Sequence, residues 1–270
     1  MDSQRLVSLA QSLQEKAVGY RRDFHRHAET AWTEFRTAAK VANVLAEQGF
    51  EVLIGDEVID SAAMMGVPSD TELERHAHRA LEQGANPVWL ERMGGGKTGV
   101  VGVLKSGEPG PTLALRFDMD ANDAIEAADI NHRPYREGFA SINEGAMHAC
   151  AHDGHTAVGL VVAEMLAAVK GSWPGAVKLI FQPAEEGVRG AKAMTAKGIV
   201  DDVDYLLGMH FGVSLGRMGQ VACSTEGFLA TTKIDASFTG IPAHAGAAPE
   251  TGRNALLAAA SAALNLHAIS

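Results

Sequence analysis

Cysteine is scarce: Cys150 and Cys223 are the only two in 270 residues. That excludes a disulfide framework and fits a reducing compartment. No dense run of lysine or arginine occurs, and the formal net charge is -10. Nucleic acid needs a basic face to meet its phosphates, so no nucleic-acid partner is expected. Long apolar runs are also missing. Residues 1–20 space their apolar side chains helically among Gln, Ser and Glu, unlike a signal peptide. The most apolar helix, 157–169, is interrupted by Glu164 and is too short to span a bilayer. The expectation is a cytoplasmic protein with no membrane partner. No internal repeat or low-complexity segment is evident. What remains is 46% hydrophobic and 21% charged residues, an ordinary globular composition that can build a core without staples.

Hydrophobic spacing organises the chain. Leu6, Leu9, Leu13 and Ala17 mark one face of a first helix. A long second helix is expected over 21–48, ending at Gly49 as a C′ glycine. Strands are expected over 50–54, 98–105, 112–117, 177–181 and 205–209, and helices over 71–83, 156–169 and 191–196. Residues 118–149 read as polar loop. Strands alternating with helices predict an α/β fold with a sheet covered on both faces. The composition shifts near Glu226, where a half-buried strand over 231–238 and an Ala-rich helix over 254–269 follow. The boundary is therefore placed between 1–225 and 226–270. One strand and one helix cannot bury their own apolar faces, so the second domain reads as cut off.

Four clusters carry chemistry. Met147-His148-Ala149-Cys150-Ala151-His152-Asp153-Gly154-His155 packs a thiol, three imidazoles and a carboxylate into nine residues before a helix. Thiolate and neutral imidazole suit zinc, and imidazole also serves manganese or cobalt. The same run also reads as a helix entry with Asp153 as an acidic cap, or as a cysteine nucleophile, although a nucleophile needs fewer donors around it. Gln182-Pro183-Ala184-Glu185-Glu186-Gly187 follows an apolar strand, where open α/β sheets bind ligands. Adjacent carboxylates repel, so one gains from a cation while the other can take a proton; a solvated turn is the alternative. Gly208-Met209-His210-Phe211-Gly212 ends another apolar strand, with His210 as a ligand or a plain core residue. Ala243-His244-Ala245 lies among small residues in the second domain, where His244 is a functional or an ordinary loop histidine. Asp118-Met119-Asp120 ends a fourth strand, and Asp120 is expected to orient a ligand from behind. The coincidence of several donor clusters at strand ends favours one crevice.

Taken together, Arg21-Arg22-Asp23-Phe24-His25, Asp118-Met119-Asp120, the run 147–155, the run 182–187, His210 and Ala243-His244-Ala245 resemble the aminoacylase and carboxypeptidase family of two-metal peptidases. The branch resembled contains the hippurate and indoleacetyl-amino-acid hydrolases. The runs 132–136, 200–205 and 252–260 and the extra segment between Asp56 and Gly96 strengthen the likeness, which covers the whole chain.

The resemblance implies a zinc-peptidase-like three-layer sheet domain, followed by the start of an inserted α+β, ferredoxin-like lid and dimerisation domain. It implies that Cys150, His152, Glu186 and His210 hold two divalent metal ions, manganese or zinc. Glu185 would be the general base for cutting the amide bond of an N-acyl or N-aroyl amino acid. His244 would reach a partner subunit's site to stabilise the oxyanion, and Arg253 and Asn254 would bind substrate carboxylate. A homodimer, or a heterodimer with a homologous subunit, is the expected assembly. The family pattern has glycine where Ala151 stands, so a left-handed backbone there would strain the loop by ~1 kcal/mol or more. It also places a last metal ligand, a histidine, beyond residue 270. That motivates a rival reading: a catalytically incomplete fragment acting only as a metal-binding or dimerisation subunit.

Overall fold

The computed structural model describes residues 3–212, 215–224, 226, 227 and 234–269. In chain order the elements are α1 (Ser3–Ser12), α2 (Gln14–Arg26), α3 (Phe35–Glu47), β1 (Glu51–Ile54), α4 (Asp70–Glu82), α5 (Pro87–Leu90), β2 (Val100–Lys105), β3 (Thr112–Asp118), β4 (Asn122–Asp123), α6 (Arg133–Arg136), β5 (Ala146–Met147), α7 (His152–Ala168), β6 (Ala176–Gln182), α8 (Gly190–Ala196), β7 (Tyr205–Gly208) and α9 (Ala255–His267). They divide into two compact units, Met1–Ser214 and Leu215–Ser270.

The first unit is built on a five-stranded mixed sheet in the order β1-β2-β6-β3-β7. The outer strands β1 and β2 run antiparallel to their neighbours, whereas β6, β3 and β7 are mutually parallel. Their sequences follow the pairing. Val177, Leu179, Ile180 and Phe181 of β6 are all buried, as expected of a central strand covered on both faces. One face packs on α2, α3 and α7 through Phe24, Leu45, Leu160, Phe117 and Leu179. The other face carries Trp32, Ile59, Ile180, Ala193 and Met194. The α/β class expected from the alternating pattern is the class observed.

The single helix expected over 21–48 is in fact two. Residues 27–34 leave the helix between α2 and α3, with Trp32 in the left-handed region at φ 66. The buried Glu29 carboxylate stands over the start of α3 and accepts from the amides of Arg36 at 3.1 Å and Thr37 at 2.8 Å. These amides are orphans that a helix start must satisfy. Apolar spacing continued through the break and concealed it. Gly49 does close α3 at φ 78. The expected loop 118–149 contains two short strands and one helical turn.

In the second unit, α9 is capped by Asn254, whose Oδ1 accepts from the Leu257 amide at 3.2 Å. None of its residues is buried. The strand expected over 231–238 falls partly outside the described residues, and 234–238 are irregular. No helix among the described residues is long and apolar enough to cross a membrane.

Candidate metal centre

Because β3, β6 and β7 are parallel, their carboxyl ends share one edge of the sheet. In such sheets this edge is where ligands bind. Asp118 and Asp120 leave β3 there, Glu185 and Glu186 follow β6, and His210 follows β7. The α7 helix opens at His152, four residues earlier than the sequence pattern predicted, so His152 and His155 lie on its first turn and Cys150 precedes it.

Packing brings the donors together. Cys150 Sγ lies 3.4 Å from His210 Nε2. His152 is fully buried, and its Nδ1 lies 2.8 Å from the Asp120 carbonyl oxygen, which can accept its proton. That bond turns Nε2 toward the carboxylates, 3.8 Å from Glu185 Oε2 and 3.8 Å from Glu186 Oε1. Both His152 Nε2 and Glu186 Oε1 are buried without a hydrogen-bond partner. Two lone-pair donors that face each other unpartnered are costly unless a cation lies between them. One ligand atom each from Cys150, His152 and Glu186 falls within 4.8 Å of the others, so a metal ion fits this set.

One ligand atom each from Asp118, His152, His155 and His210 also falls within 4.8 Å of the others, but His155 is chemically engaged elsewhere. Its Nδ1 is hydrogen-bonded to Asp118, and its Nε2 accepts the Phe211 amide at 3.0 Å. With the Nε2 lone pair taken, His155 fixes the segment that carries His210 and does not ligate. Asp118 is further held by Arg116 at 2.8 Å. Burial would raise the Asp118 carboxyl, yet the His155 bond and the His152 and Arg116 charges bring it down to about 2.

Support from behind comes from residues far away in sequence. Asp120 Oδ2 accepts the Glu186 amide at 2.9 Å. Asn122 Oδ1 accepts the amides of Ala149 and Cys150, both at 3.1 Å. Glu34, wholly buried, accepts from the Ala184 amide at 2.8 Å and the Thr98 hydroxyl at 2.6 Å. The buried His25 bridges Asp153 at 2.8 Å and Glu126 at 2.9 Å, which ties α2 to the start of α7. Sequence reasoning assigned no role of their own to Glu34, Asp118, His155 or this bridge, because nothing local marks what each of them meets.

The protonation pattern argues against a cysteine nucleophile. Cys150 and His210 are close enough to pair, but burial and the Glu186 and Glu185 charges push the thiol up to about 11. Activated cysteines sit in electropositive surroundings. Burial alone would lower His152, but its bond to Asp120 and the charges of Asp118, Asp120 and Glu186 raise it to about 9. Without a cation, protons neutralise this nest of carboxylates. Metal loading must displace them and therefore strengthens as pH rises. Burial also raises the Glu185 carboxyl above its ordinary range.

Ala151 has φ 66 and ψ 22, the left-handed conformation that disfavours every residue with a Cβ. We expect Ala151→Gly to raise unfolding stability by about 1 kcal/mol, read as a higher urea midpoint at unchanged slope. A lower midpoint would show that the turn is not strained.

In the second unit, His244 Nδ1 accepts the amides of Gly246 at 3.1 Å and Ala247 at 3.0 Å. The ring proton of this exposed histidine is therefore on Nε2. Arg253 pairs its backbone with Ile241, and the Asn254 side-chain carbonyl caps α9.

Comparison with known proteins adds the lineage. The family described as Peptidase family M20/M25/M40 matches residues 114–267. The chain is 52% identical over 264 residues to a p-aminobenzoyl-glutamate hydrolase subunit of Escherichia coli K12, covering 98% of this chain and 60% of that protein. It is 54% identical over 250 residues to the indole-3-acetyl-aspartic acid hydrolase of Enterobacter agglomerans, covering 93% of this chain and 57% of that one. The crystal structure of an aminobenzoyl-glutamate utilization protein from Klebsiella pneumoniae superposes with a TM-score of 0.79 at 47% identity, again over 98% of this chain and 60% of its own. The chain thus spans about 60% of the length of these relatives. On its sequence, its sheet and the match over 114–267, this chain belongs to peptidase family M20/M25/M40.

Proposed function

We propose that the chain carries the catalytic centre of a metal-dependent amidohydrolase that cuts the amide bond of N-acyl or N-aroyl amino acids. The favoured substrate is p-aminobenzoyl-glutamate. One observation supports this reading above the others: the unpartnered His152 Nε2 and Glu186 Oε1 face each other at 3.8 Å, with Glu185 Oε2 equally far from the same nitrogen. Cys150, His152, Glu186 and His210 would hold two divalent ions, manganese or zinc. When bound, such a pair supplies Lewis acidity and lowers the pKa of a water.

The chain's own residues divide the remaining work. Asp120 orients the site from behind: its carbonyl fixes the His152 ring and its carboxylate holds the Glu186 amide. Among the described residues the Glu185 carboxylate has no hydrogen-bond donor; it is half-buried, and desolvation raises its carboxyl. It is suited to take a proton from water and return it to the leaving nitrogen. His244, with its Nε2 proton free, would reach into a partner subunit's site and donate to the developing oxyanion there. Arg253 and Asn254 would receive the substrate's α-carboxylate, the Asn254 side-chain NH₂ remaining available beside its capping oxygen. Residues 226–270 would begin a lid that also mediates dimerisation, as a homodimer or with a homologous subunit. The setting would be the cytoplasm.

The test is hydrolysis of p-aminobenzoyl-glutamate by the purified chain with added manganese and a chelator control, beside metal analysis. We expect chelator-sensitive release of p-aminobenzoate and close to two metal ions per chain. Chelator-insensitive release, or less than one ion per chain, would reject the proposal.

A further inference from the structure

The loop after β6 holds a cation that the chemistry described so far does not use. Arg189 lies two residues beyond Gly187, and its guanidinium rests against both Gly187 and Gly66. A Cβ added at Gly187 would come within 2.4 Å of Arg189 Nε, and one added at Gly66 within 2.6 Å of its Cζ. The two glycines thus form a cradle shaped to the guanidinium. Gly66 belongs to the extra segment between Asp56 and Gly96. The tip of that segment is fastened here: Trp32 Nε1 donates to the Met65 carbonyl at 2.9 Å, and Arg189 Nη1 donates to the Gly66 carbonyl at 3.1 Å. The backbone that carries the arginine is strained, with Ala184 at φ 51 and the exposed β-branched Val188 at φ 54. Such conformations persist where the surroundings impose them, and they cluster at functional sites.

Charge makes the placement unusual. Among the described residues the only hydrogen-bond partner of the Arg189 guanidinium is that one carbonyl, and no carboxylate pairs with it. The other arginine of this sheet edge, Arg116, is committed to Asp118 at 2.8 Å and Gln182 at 2.9 Å. The edge also carries Asp118, Asp120, Glu185 and Glu186, which repel any anionic substrate. Every N-acyl amino acid carries one α-carboxylate, and a dicarboxylic one carries a second on its side chain. A second carboxylate needs another fork of donors, and the free Nε and Nη2 of a cradled guanidinium are such a fork.

We infer that Arg189 is the anion-binding residue of a side-chain subsite, receiving the second carboxylate of an N-acyl dicarboxylic amino acid of the aspartate or glutamate class. This rests on the proposed amidohydrolase reading and adds the residue that selects among its substrates. The Asp56–Gly96 segment then serves to hold that guanidinium in place at the mouth of the metal loop.

The experiment compares N-(4-aminobenzoyl)-L-glutamate with its neutral isostere N-(4-aminobenzoyl)-L-glutamine in the manganese-loaded chain, in wild type, Arg189→Gln and Arg189→Lys. A charged hydrogen bond of this kind is worth about tenfold to a hundredfold. Arg189→Gln is expected to cut the glutamate-over-glutamine ratio of kcat/KM by that factor, mostly through KM, and Arg189→Lys to restore part of it. A ratio unchanged within about twofold (whatever happens to the two rates) overturns the inference and leaves Arg189 a staple for Gly66. If wild type cleaves neither substrate, the amidohydrolase reading fails and titration calorimetry decides the inference alone. Free L-glutamate should then bind wild type at least about tenfold more tightly than Arg189→Gln, whereas equal binding, or no binding to wild type, overturns it.

Discussion

Glu185→Gln is expected to lower kcat for p-aminobenzoyl-glutamate by about a thousandfold while metal content stays at the wild-type level. The amide keeps the size of the carboxylate but cannot take a proton, and positioned proton transfer contributes roughly a hundredfold to ten-thousandfold. Two structural facts sharpen the expectation. Among the described residues the Glu185 carboxylate makes no hydrogen bond; the loop is held by backbone groups, the Glu185 carbonyl accepting the Val188 amide and the Ala184 and Glu186 amides donating to Glu34 and Asp120. The substitution therefore removes the base without loosening its support. Proton transfer through Glu185 should also appear as an acid limb of kcat/KM in wild type that vanishes in the variant. The companion change Glu186→Gln acts differently, because it weakens an atom 3.8 Å from His152 Nε2 and should lower metal occupancy. Steady-state kinetics with metal analysis on both variants separates the roles. Activity within tenfold of wild type in Glu185→Gln would end its assignment as the general base.

What the sequence made legible follows a physical rule. Cys150, His152, Glu185, Glu186 and His210 stand in short runs at the ends of apolar strands or the start of a helix. Once those strands are parallel, their carboxyl ends must meet, and the structure brings these five residues to one edge. Glu34 was not legible. It sits inside what reads as one continuous helix, and its task depends on Ala184, 150 positions away. His155 has the opposite problem: its pattern marks it as one more ligand, and only the Phe211 amide on its Nε2 shows that the lone pair is taken. Ala151 illustrates a third limit, since spacing says nothing of the sign of φ. Sequence periodicity reports burial on one face of an element. It cannot report which buried polar atom meets which, and the supporting shell of this site consists of such pairings.

That shell leads to the second large effect, the pH dependence of the metal-free protein. Burial and the neighbouring Asp120 charge raise the Glu34 carboxyl to about 8. Its ordinary value is near 4.5, so between these limits the folded chain binds a proton that the unfolded chain has released. Stability falls with pH wherever the folded state holds the extra proton. The contribution of Glu34 is therefore complete below about pH 4.5 and is lost as pH rises through about 8. His152 acts in the same direction, its folded value of about 9 lying above the ordinary 6.5. In chelator, wild type should lose on the order of 1 kcal/mol per pH unit over the upper part of this window, a few kcal/mol in all. Glu34→Gln removes one of the two contributions. At acidic pH its stability should stay close to that of wild type, because an amide, like the neutral acid, accepts from the Ala184 amide and can donate to the Thr98 hydroxyl oxygen. Its decline with pH should be shallower than that of wild type, so the two curves separate toward pH 9 with the variant the more stable. Urea unfolding at pH 5, 6, 7, 8 and 9, with chelator present, measures both slopes. Parallel curves would mean that Glu34 stays ionised in the fold and that another group, His152 foremost, carries the proton that holds the empty site together.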